Sequence, residues 1–226
     1  MLPSQTVENY LKSIYLAEAA LAGDRDLVPM GQLASALGVT PGTATTMVKA
    51  LADSGLAHYE PYSGVRLTPA GEKLASMVLR RHRLIELFLV KVLGMSWAEV
   101  HDEAEHLEHA VSDRLIDRID EMLGRPTADP HGDPIPTAEG HVAPTEWTDL
   151  LTCAVGVPVR VTRVIDQDPQ FLHFVEASAL KPGEEVTVEA RDDVADRVSL
   201  RYADGRTTTV GARAAAKILV TEILPG

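Results

Sequence analysis

The chain has one cysteine, no long apolar run and too few basic side chains to balance its acids, and each shortage excludes something. Cys153 alone cannot close an intrachain disulfide, and it leaves no CxxC pair for a zinc or iron–sulfur centre. The longest stretch without a charged residue, Leu27 to Val48, is broken by prolines, glycines and threonines and cannot span a bilayer. The first residues, MLPSQTVENY, carry no basic leader ahead of an apolar segment, so the reading is a soluble protein of the cytoplasm with no membrane partner. What is present is ordinary for a folded protein. The 226 residues are 45% apolar and 24% charged, enough for one large domain or two to three small ones.

Charge is unevenly spread. Twenty-one basic against 33 acidic residues give −12, which works against unassisted attraction to a phosphate backbone. Residues 1–75 carry −2, residues 76–140 carry −6 and residues 141–226 carry −4, and the middle third holds five of the eight histidines. Acid and histidine concentrated in one helical region suggest a cation-binding module.

Hydrophobic spacing predicts an amphipathic helix over residues 5–22, then a loop and a short helix, MGQLASALG, closed by Gly38. Thr40 is an N-cap candidate with Pro41 at the first helical position of PGTATTMVKALADSG. LAHYEPYSGVRLTP reads as two strands about a turn. A long helix runs from Pro69 to about Leu93, a helix capped by Ser96 continues to about Val111, and a shorter one capped by Ser112 ends at Gly124. Five prolines between residues 126 and 144 mark a proline-rich linker. Short alternating runs over 155–226 read as a small β barrel. The expected layout is a DNA-binding domain at 1–75, a helical dimerisation and metal domain at 76–140, a linker at 141–154 and the barrel at 155–226. On that layout, removing the barrel should leave a folded, DNA-binding dimer.

Helix, tight turn, capped helix and two-stranded wing form the winged helix-turn-helix pattern. Thr40, Thr43, Thr45, Thr46 and Lys49 give its second helix a small polar surface suited to base edges and phosphates, and Arg66 in the wing offers a further phosphate contact. A three-helix core with a merely polar third helix is the alternative reading.

In the helix after Ser96, about 100° per residue places His101, Glu105, Glu108 and His109 beside the apolar stripe, with His106 pointing away. His82 and Glu86, four apart on the preceding helix, make a second two-ligand face, and Glu8 and Asn9 offer oxygen from the first helix. Imidazole and carboxylate donors in this number suit one or two divalent ions. The run Glu105-His106-Leu107-Glu108-His109 also overlaps the His-x-x-Glu-His zinc-protease register, with glutamate in place of the first histidine, so a metal-dependent hydrolase is the competing class. His131, His141 and His173 lack partners at ligand spacing and read as structural or solvated.

These stretches (VENYLKSIY, the helix-turn-helix with its wing, RRHRLIELFLVKVLGMSWAEVHDEAEHLEHAVSD and DPHGDPIP) resemble the diphtheria-toxin-repressor family of metal-dependent transcriptional regulators. The resemblance covers about residues 5–140 and, more loosely, the barrel. It implies a mainly α N-terminal region, a winged helix-turn-helix plus a helical dimerisation and metal domain, with a C-terminal SH3-like β barrel. It further implies a homodimeric, non-enzymatic repressor that binds double-stranded operator DNA, controls metal-uptake genes and takes no small organic substrate. By position, the resemblance puts Glu105, Glu108, His109 and Asn9 in the primary metal site and His82, Glu86 and His101 in an ancillary one. The loop 166–170, Asp166 foremost, is a candidate to complete the second. Iron-responsive members carry cysteine and methionine where this chain has Glu105 and Asn9. Loss of both sulfur donors favours Mn²⁺ over Fe²⁺, with two ions expected per chain. Lys12 stands where compact manganese regulators have a glutamate, which argues against a closely spaced ion pair.

Overall fold

In this computed structural model residues 4–21, 27–142 and 147–223 are described. Parts of the expected loop after the first helix and of the expected 141–154 linker lie outside them. The chain divides by its contacts into two compact units. The first holds residues 4–82 with 107–111 and 136–142; the second holds 83–106, 112–135 and the C-terminal segment.

The first unit opens with α1 (Gln5–Ala19), begun by Ser4, whose hydroxyl accepts from the Val7 N–H. Its buried stripe of Tyr10, Leu11 and Ile14 packs into one core with α2 (Met30–Ala36) and α3 (Pro41–Asp53). Strands β1 (Ala57–Glu60) and β2 (Gly64–Leu67) pair antiparallel to form the wing, with Ala57 opposite Leu67. Val28 bridges Val65 at the wing's edge, and a Cβ on Gly64 would stand 2.4 Å from the Val28 carbonyl oxygen, so only glycine fits there. The long helix α4 (Pro69–Lys91) contributes its residues 69–82.

The second unit has a six-stranded antiparallel sheet in the order β3-β8-β4-β5-β6-β7. Its strands are β3 (Thr148–Asp149), β4 (Pro158–Val164), β5 (Glu185–Asp192), β6 (Arg197–Tyr202), β7 (Thr207–Gly211) and β8 (Ile218–Glu222), with α7 (Pro169–Ala177) and α8 (Ala212–Ala215) between them. Alternating burial along β4 and β6 places Val159, Val161, Val198 and Leu200 in its core. The same unit contains most of α5 (Val100–Leu107) and all of α6 (Asp113–Met122), capped by Ser112. This is the helical-then-sheet layout expected.

Two local readings need correction. The helix expected from Ser96 to Val111 is only α5, eight residues long. Ser96 instead closes a turn, its carbonyl accepting from Glu99 and its hydroxyl from Ala98. The cause is tertiary: Trp97 and Ala98 are buried in the sheet core, which holds residues 96–99 out of helical register. Beyond Leu107 the chain turns, with Ala110 and Val111 both donating to the Leu107 carbonyl.

The proline-rich run is also no simple linker. Asp129 ties residues 127–135 into a closed loop by accepting from the His131 and Asp133 N–H groups at 2.8 and 2.9 Å. A Cβ on Gly132, at φ 85°, would lie 1.9 Å from the Thr162 carbonyl oxygen, and Val164 donates to the His131 carbonyl at 2.8 Å. Trp97 and Ala98 likewise belong to the sheet core, so the segment after α4 and the C-terminal strands share one buried apolar cluster.

Candidate metal centres and nucleic-acid surface

In the first unit, helical spacing puts Glu8 and Lys12 one turn apart on α1, and both reach the turn at 108–109. Lys12 donates to Glu108 Oε1 at 2.7 Å, and His82 Nδ1 lies 2.6 Å from Glu108 Oε2. Glu108 is fully buried. Glu8 Oε2 lies 2.6 Å from His109 Nδ1, while Arg81 contacts Glu8 Oε1 at 3.4 Å and donates to the Glu108 carbonyl at 3.2 Å. Among the described residues, a buried atom of α1 and one of the 108–109 turn make no hydrogen bond: Asn9 Oδ1, and His109 Nε2, which lies 3.3 Å from Glu108 Oε1. A buried acceptor without a donor is costly. An imidazole nitrogen left so beside a buried carboxylate, with an amide oxygen left so on α1, fits a divalent cation held by N and O donors.

In the second unit, Glu86 is the shared carboxylate. Its Oε1 lies 3.2 Å from His101 Nδ1, and its Oε2 lies 3.8 Å from His131 Nδ1. His131 is wholly buried. Its ring stacks on Trp97 at 5.4 Å and its Nε2 donates to the Trp97 carbonyl at 2.7 Å. The backbone acceptor requires the proton on Nε2, which leaves Nδ1 a lone pair in the neutral ring, and Nδ1 has no hydrogen-bond partner. Asp129 Oδ1 stands 4.0 Å from that nitrogen. Glu86, Asp129 and His131 thus bring donor atoms within 4.8 Å of one another, all buried. Burial, then the neighbouring Asp133 and Glu86 charges, push the Asp129 carboxyl well above the usual carboxylate range, against the pull of Arg83. A caged divalent cation would relieve that cost, so these residues also fit a metal.

Sequence reasoning missed Asp129 and His131. The available signal was the Asp129-Pro-His131-Gly-Asp133 run itself, an imidazole between two carboxylates, read there as linker. Glu105 lies on α5 half-exposed, 4.0 Å from His101 Nε2. His106 is exposed and bonds its Nδ1 to the Asp102 carbonyl at 2.6 Å. Asp166 is held by Lys217 at 2.5 Å and accepts from the Asp168 N–H at 3.0 Å, and these contacts keep its carboxyl below the usual range. Its neighbour Gln167 reaches the loop, donating to Asp133 at 2.6 Å, and Arg163 contacts the same carboxylate at 2.5 Å.

On the winged helix, Thr40 caps α3 by accepting from the Thr43 N–H at 3.2 Å. Thr45 and Thr46 donate to the Pro41 and Gly42 carbonyls. Thr40, Thr43, Thr46, Lys49 and Arg66 are exposed and Thr45 is partly so. At the wing tip Tyr62 is fully exposed with φ 67°, a side chain the sequence reading did not single out.

A winged helix-turn-helix joined to buried carboxylate–imidazole clusters defines a metal-responsive DNA-binding protein. The models for the iron-dependent repressor N-terminal DNA-binding domain, the iron-dependent repressor metal-binding and dimerisation domain, and the FeoA domain match residues 3–65, 68–137 and 148–222. The iron-dependent repressor IdeR of Mycobacterium tuberculosis is 32% identical over 81% of this chain and 84% of its own length. The diphtheria toxin repressor of Corynebacterium efficiens is 29% identical over 88% of this chain and 96% of its own. A manganese-dependent transcriptional repressor in complex with manganese superposes with a TM-score of 0.86 at 41% identity, covering 96% of this chain and all of that one. The chain belongs to the diphtheria-toxin-repressor family of metal-dependent transcriptional repressors. Its relatives are repressors, not enzymes, which disposes of the hydrolase register. Among the described residues no helix is long and apolar enough to cross a membrane.

Proposed function

We propose that this protein is a manganese-activated homodimeric repressor that binds operator DNA in the cytoplasm and controls metal-uptake genes. The observation that carries the reading is the donor set: the groups that converge at the two clusters are imidazoles and carboxylates, with no cysteine among them. Asn9, Glu108 and His109 would hold one Mn²⁺, with Glu105, four residues before His109, as the further donor that the family pattern suggests. Glu86, Asp129 and His131 would hold a second, with His82 and His101 as further donors around Glu86. When bound, each ion supplies two positive charges to a region of net −6 and a set of bonds between elements distant in sequence.

The protein's own residues do the rest. Asn9 and Glu108 belong to different elements, so sharing an ion fixes α1, the first helix of the DNA-reading head. Thr40, Thr43, Thr45, Thr46 and Lys49 then meet the major groove and Arg66 a phosphate, with two heads at half-site spacing in the dimer. The test is operator retardation of full-length protein with Mn²⁺ and with chelator at one salt concentration. Metal-dependent binding is expected; equal binding in both overturns the reading. Iron is the alternative activator, and parallel titrations with Fe²⁺ under reducing, anaerobic conditions separate the two.

A further inference from the structure

We infer that Glu8 is a positioning residue of the primary metal site: it orients His109 and does not itself ligate the ion. The inference rests on the reading of His109 as a ligand given above. Glu8 and Asn9 are neighbours on α1, and either could have offered oxygen to a cation. The structure separates their roles. Asn9 Oδ1 is buried with no hydrogen bond, whereas both Glu8 carboxylate oxygens are engaged, Oε2 by His109 Nδ1 at 2.6 Å and Oε1 by Arg81 at 3.4 Å.

A carboxylate only accepts, so the proton of the His109–Glu8 bond resides on Nδ1. The neutral ring therefore presents its Nε2 lone pair, and Nε2 is the buried atom that makes no hydrogen bond and faces Glu108 Oε1 at 3.3 Å. Glu8 thereby selects the tautomer, fixes the ring plane and makes the imidazole a stronger donor, as a carboxylate behind a metal-bound histidine does. Arg81 anchors the arrangement from behind: it grips Glu8 and donates to the Glu108 carbonyl, so one guanidinium sets both the orienting carboxylate and the backbone of the ligand turn.

The experiment uses full-length protein, stripped of metal, with ¹⁵N-labelled histidine and the His109 signals assigned by their loss in His109→Ala. Wild type is expected to show Nδ1 protonated and Nε2 bare. Glu8→Gln keeps an acceptor and should retain that tautomer, while Glu8→Met removes it and should give a mixture. Calorimetric titration with Mn²⁺ alone should then show about 10- to 100-fold weaker binding in Glu8→Met and a smaller loss in Glu8→Gln. In the His109→Ala background Glu8→Met should add nothing, because its effect runs through the imidazole. A proton on Nε2 in wild type, or an undiminished Glu8→Met loss without His109, overturns the inference. If His109→Ala binds Mn²⁺ as wild type does, the ligand reading falls and the functional role of Glu8 with it. The tautomer result would still report separately whether Glu8 orients the ring. Glu8→Gln, nearly isosteric and keeping one amide oxygen for His109 while giving up the acceptor that faces Arg81, guards against misfolding of the Met variant.

Discussion

Lys12 Nζ sits 2.7 Å from Glu108 Oε1, and the lysine is nearly as buried as the wholly buried carboxylate. An ammonium in contact with this carboxylate neutralises one negative charge that a bound ion would otherwise meet, so in the proposed site metal and lysine compete for Glu108. Breaking a buried pair from one side costs about 3–5 kcal/mol. Lys12→Met should lose that much stability in chelator and recover most of it with Mn²⁺, which then supplies the counter-charge that the lysine gave. Thermal unfolding with and without Mn²⁺ checks this; equal loss in both conditions would show that the ion does not replace the lysine.

Glu105 tests metal choice. It is a charged oxygen donor four residues before His109, and a thiolate there favours softer ions. Glu105→Cys should lower Mn²⁺-dependent operator binding while keeping or raising the response to Fe²⁺ or Co²⁺, and Glu105→Ala should weaken the response to all. His106→Ala, which removes an exposed ring bonded to the Asp102 carbonyl of its own helix, should be nearly silent. Operator affinity against free metal concentration reads all three, and a wild-type Mn²⁺ response in Glu105→Ala would remove Glu105 from the site.

The raised Asp129 carboxyl makes a pH prediction for metal-free protein. The native state keeps this proton at pH values where the unfolded chain has released it, so native binds more protons across that window. Stability from this group is therefore full below the ordinary carboxylate range and falls as pH rises toward the raised native value. Asp129→Asn keeps an oxygen for the His131 and Asp133 N–H groups and should flatten that slope. Urea midpoints in chelator across the window measure it, and an unchanged slope in the variant would assign it elsewhere.

Removing residues 155–226 should unfold more than the sheet. It strips Arg163 and Gln167 from Asp133, and it uncovers Trp97 and Ala98, which share the sheet core. The single change Trp97→Ala should cost about 3–5 kcal/mol. A truncated chain with the near-ultraviolet dichroism and Mn²⁺ affinity of full-length protein would contradict this and restore the detachable-barrel expectation.

Local chemistry was legible in the sequence. Thr40 and Ser112 start their helices as capping rules require, and the i,i+4 pair His82 and Glu86 lies within one helix because periodicity is a property of neighbours. The candidate donors Asn9, Glu108 and His109 could be named, along with the exposed polar surface of α3. Tertiary structure alone decided which distant groups meet. Lys12 finds Glu108 across 96 residues and Glu8 finds His109 across 101, contacts on which helical spacing is silent. Asp129 and His131 join Glu86 because the loop at 127–135 closes on itself and Gly132 lets it press against Thr162, so a segment that composition marks as a linker takes a defined path set by its contacts. Sequence fixes what each side chain can donate or accept; the path of the chain fixes which donor each acceptor meets, and that pairing separates a ligand from a positioning group.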